Sequence, residues 1–285
     1  MKLKTETASK RKLSWMDTIR SITRPKVAIM TALGFSSGLP FMLVGNTLGY
    51  WLRESGIELA TIGFLSWVGL AYSLKFLWAP IVDKVDAPLV GRWLGRRRGW
   101  MMISQVLIAA ALIGMSVVGP SSLEIFVALA VVAAFASATQ DIVVDAWRIE
   151  ASEVSEETAL LSSAYQLGYR AALLVTDALI LILAGWAGWS MSYLTMGVGM
   201  AVGLGATFFA TEPQRTNENA NAPVLWTLRG LADGIIGPFK VFFKEHGQAA
   251  ILMLLAVSLY RLADFVMGPM ANPFYADLGI AKELV

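Results

Sequence analysis

Long apolar runs alternate with short polar breaks along most of the chain. A helix that crosses a bilayer needs roughly 20 mostly apolar residues. Six stretches meet that length: Val27–Tyr50, Ala60–Val82, Trp100–Val118, Leu123–Trp147, Leu160–Trp186 and Ser190–Ala210. A seventh begins near Ala249 and reaches about Tyr275. The pattern predicts an all-α membrane protein with a cytoplasmic basic tail (1–26) and a six-helix transmembrane bundle (27–210). A central cytoplasmic loop (211–248) and the start of a second bundle (249–285) follow. The sequence stops at AKELV, which reads as a loop cut short before another helix.

The central loop has two parts. EPQRTNENANAP is polar linker; VLWTLRGLADGIIGPFKVFFKEHG has apolar residues at helical spacing with Arg229, Lys240 and Lys244. That second part predicts an amphipathic helix on the membrane surface.

Composition supports the membrane reading: 56% hydrophobic residues, 15% charged ones and a mean hydropathy of +0.60 are too apolar for a soluble domain. The absence of cysteine excludes a disulfide scaffold and a thiolate metal site, and a single histidine, His246, excludes a multi-histidine centre. The expected partner is the lipid bilayer, with no nucleic acid and no cofactor.

Basic residues set the orientation. The tail carries Lys2, Lys4, Lys10, Arg11, Lys12, Arg20, Arg24 and Lys26, and the loop after the second span carries Lys84, Arg92, Arg96, Arg97 and Arg98. The third–fourth and fifth–sixth connections have no lysine or arginine. The N-terminus is therefore expected in the cytoplasm, before an uncleaved first helix, because no small-residue cleavage site follows the first apolar run. Trp51, Trp78, Trp93, Trp100, Trp147, Trp186 and Trp189 fall near the ends of the spans, where an aromatic belt is expected.

Charges inside the spans carry the chemistry. The fourth span ends in SATQDIVVDAWRIEA, where Asp141 and Asp145 share a helical face and Arg148 lies three residues beyond Asp145. Lys75 lies in YSLKFLW, Arg170 in YQLGYRAALL, and Arg261 and Asp264 in SLYRLADFV. Ionisable groups within a membrane are expensive and mark solute paths or proton relays. The set predicts a polar, on balance cationic cavity suited to an anionic solute, with a carboxylate that carries a proton. Helix one adds GFSSGLPF, where Pro40 removes a backbone donor and predicts a break near mid-membrane, with Asn46 close by as a candidate ligand. Trp67, Tyr72, Tyr165 and Tyr169 are candidates to stack on a sugar ring. A membrane enzyme using Asp141 and Asp145 to hold a divalent metal would need a second aspartate pair upstream, which the sequence lacks; no enzyme is expected.

APIVDK followed by GRWLGRRRGW resembles the signature of the major facilitator superfamily, an aspartate at a helix end before a glycine and basic run. Asp83 would be the anchoring acid and Arg96, Arg97 and Arg98 its partners, with Arg148 joining the gating motif. The spacing is longer than usual, and Ala79 stands where a glycine is expected. More narrowly, GLPFML, YWLRESGIELATIGFLSWVGLAYSLKFLWAPIVD, GRRRGW, SATQDIVVDAWR, LGYR and PFYADLG resemble the AmpG-type muropeptide permeases. The resemblance implies two six-helix halves, so a missing C-terminal half is expected. It implies proton-coupled import of anhydro-muropeptides, anionic sugar-peptides from wall turnover, across the bacterial inner membrane, with the proton gradient as the energy source. By residue it implies proton coupling at Asp141 and Asp145. The implied substrate cavity is lined by Asn46, Lys75, Gln140, Tyr169, Arg170, Arg261 and Asp264. A related transporter of another anionic solute, such as acetyl-CoA, or a fragment without activity of its own, remain the alternatives.

Overall fold

The computed structural model describes residues 24–214 and 228–278; the side chains of 228–234, 238, 261–273 and 276 lie outside that description. Among the described residues the regular structure is helical.

The first apolar run folds as two helices. α1 (Pro25–Leu43) opens on Pro25, whose fixed φ suits a first turn and whose missing N–H is no loss there. α1 runs through Pro40, and the break falls instead at Val44 and Gly45, before α2 (Asn46–Glu54). Gly45, with the least helix propensity after proline, absorbs the change of direction.

The second run is the most irregular. α3 (Leu59–Leu65), α4 (Leu70–Leu74) and α5 (Ala79–Lys84) are joined by 3-10 turns at Ser66–Gly69 and Lys75–Leu77. A short α6 (Gly91–Leu94) precedes α7 (Arg96–Val118), which stops at Gly119, where φ is +63°. α8 spans Leu123–Ala151. α9 (Ser155–Leu173) passes through a π-helical stretch, Leu174–Leu179, into α10 (Ile180–Gly199) and α11 (Ala201–Phe209). After the linker come α12 (Leu228–His246) and α13 (Ala249–Asp277).

Five stretches are long and apolar enough to cross a membrane: Pro25–Glu54, Leu59–Leu77, Arg96–Val118, Pro120–Ala151 and Ser155–Phe209. A helix as long as the last would reach about 80 Å at 1.5 Å per residue, against a hydrocarbon core of about 30 Å. It turns back at Gly188, whose φ of +81° lies where only glycine is unstrained, so it supplies two crossings. A sixth candidate, Ile235–His246 with Ala249–Tyr260, is bent by 116° at the turn between them.

Contacts fix the helix directions. Lys26 at the start of α1 meets Glu157 at the start of α9, while Thr47 of α2 bonds the Thr176 carbonyl at 2.7 Å, so α1 and α9 run parallel. Past the turn at Gly188, α10 lies beside the end of α1, where Tyr193 bonds the Leu43 carbonyl, and α11 ends beside Arg98, which bonds the Thr207 and Phe208 carbonyls. The bundle therefore has a basic end, marked by Lys26 and Arg96–Arg98, and an aromatic end.

At the aromatic end Trp51 packs on Phe126, Trp189 and Tyr193 with ring centroids 4.6–5.9 Å apart. This corrects part of the expected aromatic belt. Trp93 and Trp186 are 85% and 91% exposed, as belt residues would be, but Trp51, Trp147 and Trp189 are buried core. The apolar ring area gained by packing outweighs a headgroup position once an indole N–H has a partner, as Trp147 has in the Thr211 carbonyl and Trp189 in Glu54.

Candidate functional site

Three helical segments converge on Asp141. It projects from α8 with its side chain 13% exposed. Lys75 Nζ, from the 3-10 turn Lys75–Leu77, stands 3.8 Å from Asp141 Oδ2, and the Tyr165 hydroxyl of α9 donates to Oδ1 at 3.4 Å. At 3.8 Å the Lys75 pair is a charge contact with no hydrogen bond to hold it. One turn along α8, Asp145 pairs with Arg148 at 3.0 Å, and the Arg148 guanidinium lies 5.6 Å from the Tyr165 ring centroid. Tyr165 thus touches one charged pair through its hydroxyl and the other through its ring face.

Rings line this cluster. Tyr165 lies 5.9 Å from Tyr169, Tyr169 is 6.4 Å from Phe41, and Phe41 meets Tyr72 edge-on at 5.3 Å. Phe41, 39% exposed, was not singled out by sequence because its only mark is apolarity. Trp67 takes no part: it stacks on Phe64, and both are about 70% exposed.

Several residues expected in the cavity lie elsewhere. Gln140 is fully buried and donates to Ser36 at 2.8 Å and Ser37 at 3.1 Å, binding α8 to α1 behind Asp141. The helical period of about 3.6 residues explains this, since a residue adjacent to Asp141 must point about 100° away from it. Ser36 and Ser37 were missed by sequence because small hydroxyls in an apolar run give little signal. Arg170 is exposed, one position off the Tyr165–Tyr169 face, and meets no acid among the described residues. Asn46 is half-buried at the first position of α2. Arg261 and Asp264 belong to α13, and their side chains lie outside the described residues.

The motif at the basic end closes around Arg97. Its Nη1 donates to Asp83 at 2.7 Å, and its Nε and Nη2 grip both oxygens of Glu150. Arg96 Nη2 reaches Glu150 at 3.3 Å. The acid facing the arginines from α8 is therefore Glu150. Arg148, expected here, is turned towards Asp145 and Tyr165, which offer it charge and a ring face on its own side of the helix. Arg98 also turns away, towards the last carbonyls of α11. Glu212, just past α11, accepts from the backbone N–H groups of Arg97 and Arg98 at 2.8 and 3.0 Å and so caps α7.

The sequence profile of the Major Facilitator Superfamily matches residues 27–282. The chain belongs to that superfamily. It is 40% identical over 248 residues to the anhydromuropeptide permease of Escherichia coli K12, covering 86% of this chain and 48% of that protein. It is 36% identical over 254 residues to "Putative transporter AmpG 4" of Rickettsia conorii, covering 88% of this chain and 59% of that one. The chain spans about half the length of the first relative and somewhat more of the second.

Proposed function

We propose that this chain forms the first bundle of a proton-coupled importer of anhydro-muropeptides in the bacterial inner membrane. The observation that carries this reading is the ion pair between Lys75 and Asp141, held inside apolar helices beside a wall of tyrosines. A structural pair deep in a bundle would be fully buried and hydrogen-bonded. This one is loose, and its lysine is a third exposed.

Loose pairing suits exchange. While Asp141 is ionised it neutralises Lys75. When Asp141 takes a proton, the Lys75 ammonium is free to attract a carboxylate of the solute. Loss of that proton on the other side restores the pair and weakens the hold on the solute. Tyr169 and Phe41, the more open rings, offer faces to sugar, while Tyr165, buried with its ring against Arg148, reports the charge of Asp141 to Arg148. Distribution of lysine and arginine supports a cytoplasmic N-terminus, which puts the basic end inside and the aromatic end outside. Membership of a transporter superfamily and likeness to a permease favour transport over catalysis.

The test is uptake of labelled anhydro-muropeptide into right-side-out vesicles bearing the full-length gene product. Uptake should stop on adding a protonophore, and Asp141→Asn should lose proton-driven accumulation while retaining solute exchange. Accumulation unaffected by the protonophore, or unchanged in Asp141→Asn, would refute the mechanism.

A further inference from the structure

Arg53, in the last turn of α2, donates through Nε to the carboxylate of Asp277, the last residue of α13. These residues are 224 positions apart, and the bond is an ion pair between the six-helix bundle and the helix that follows the central loop. It lies at the aromatic end, opposite the Asp83–Arg97–Glu150 set, which is confined to the first bundle.

Arg53 is presented for this contact. Gly56, at φ +83°, turns the chain so that its own N–H meets the Arg53 carbonyl and the Ile57 N–H meets the Leu52 carbonyl. The turn brings the Ile57 carbonyl to Arg53 Nη1 at 3.2 Å, fixing the guanidinium on its own side. Behind it, Trp51 is locked among Trp189, Tyr193 and Phe126. Thr47 of α2 also bonds the Thr176 carbonyl, so Arg53 is carried on a tip that belongs to the first bundle and moves with it.

We propose that Arg53 and Asp277 form the tie that closes the outer face of the transporter and parts to admit solute. This rests on the transport reading above. An alternating-access protein rocks one bundle against the other, so a bond between bundles at one face must break when that face opens. A fully buried pair would resist such breaking. Arg53 and Asp277 have side chains 30% and 33% exposed, so water can replace either partner, and such a pair shifts a balance without locking it.

The test uses the full-length gene product carrying Arg53→Cys and Asp277→Cys; residues 1–285 hold no cysteine, and any in the rest of the product is first replaced by serine. A short bifunctional reagent with reducible linkages should join the pair and cut uptake at least tenfold, and reductant should restore it. The rate of cross-linking should change at least threefold between an imposed proton gradient and its collapse by protonophore. The reversed single variants Arg53→Asp and Asp277→Arg should each lower uptake about fivefold, and the double swap should recover most of it. Cross-linked protein that transports at the full rate, or a cross-linking rate indifferent to the gradient, would overturn the proposal. Lack of muropeptide uptake by the unmodified protein would refute the proposed substrate instead, and the gradient dependence of cross-linking would still decide the role of the pair.

Discussion

A Cβ placed on Gly168 would stand 1.9 Å from the carbonyl oxygen of Thr31. α1 and α9 therefore approach more closely than any side chain between them would allow. Gly34 and Gly38, four apart on α1, do the same from the other side: a Cβ on either would lie 2.2 and 2.7 Å from the carbonyls of Tyr165 and Tyr169. Between helices in lipid there is little hydrophobic drive, and close backbone packing through small residues takes its place. This contact also sets the site, because it brings Tyr165 and Tyr169 of α9 beside Phe41 of α1 and Asp141 of α8.

Gly168→Ala should therefore loosen the bundle. The added methyl has no flexible side chain to displace, only backbone, so the cost should reach about 3 kcal/mol, the upper range for overpacking. Thermal unfolding of the protein in detergent would show the loss. Gly205→Ala, which meets nothing within 4 Å, is the control and should change the midpoint little. Equal behaviour of the two would contradict the close-packing account.

Glu212 and Gly95 make a second linked pair. Glu212 accepts two N–H groups at the start of α7, where the helix dipole favours an anion. Glu212→Ala should cost about 1–2 kcal/mol, near the upper range for a lost cap, and Glu212→Gln less, since it keeps an acceptor. Gly95→Ala should cost as much or more, because φ is +89° and the new Cβ would fall 2.4 Å from Glu212 Cδ. In Gly95→Ala/Glu212→Ala the clash is removed, so the double variant should be less destabilised than the sum of the singles. Strict additivity in the melting of all four proteins would show that the two do not meet.

Much of this was legible in the sequence because bilayer physics leaves only helices of a fixed length, so runs such as Trp100–Val118 could be placed within a few residues. Asp141 and Lys75 were legible as charges in apolar runs, but their contact was not, since 66 positions separate them and only packing chooses the partner. Nothing in the sequence singles out Glu150, yet it grips Arg97, because which face of a helix end meets α7 depends on rotation that hydropathy does not encode. GFSSGLPF, taken alone, predicts broken backbone. Its glycines instead serve close approach and its proline sits within α1, the two uses of glycine being indistinguishable until the neighbouring helix is known.

The ranking of losses around Arg97 gives the last prediction. Its guanidinium makes three hydrogen bonds to two acids while its side chain is only 5% exposed. Arg97→Gln leaves Asp83 without its cation and Glu150 with only the longer contact to Arg96, a loss of about 3 kcal/mol by analogy with broken buried pairs. Arg97→Lys keeps the charge but replaces the planar fork with a point donor that cannot serve both acids, so it should recover less than half of that. Glu150, 28% exposed and gripped at both oxygens, should matter more than Asp83, 43% exposed and held by one bond. Asp83→Asn should cost under about 1 kcal/mol, in the range of surface pairs, and the contribution it removes should shrink in high salt. Unfolding midpoints in detergent should therefore fall in the order Arg97→Gln, Glu150→Gln, Asp83→Asn, from largest loss to smallest. An Asp83→Asn loss equal to that of Glu150→Gln would place the weight of the motif on the α5 acid and overturn the ranking drawn from burial and geometry.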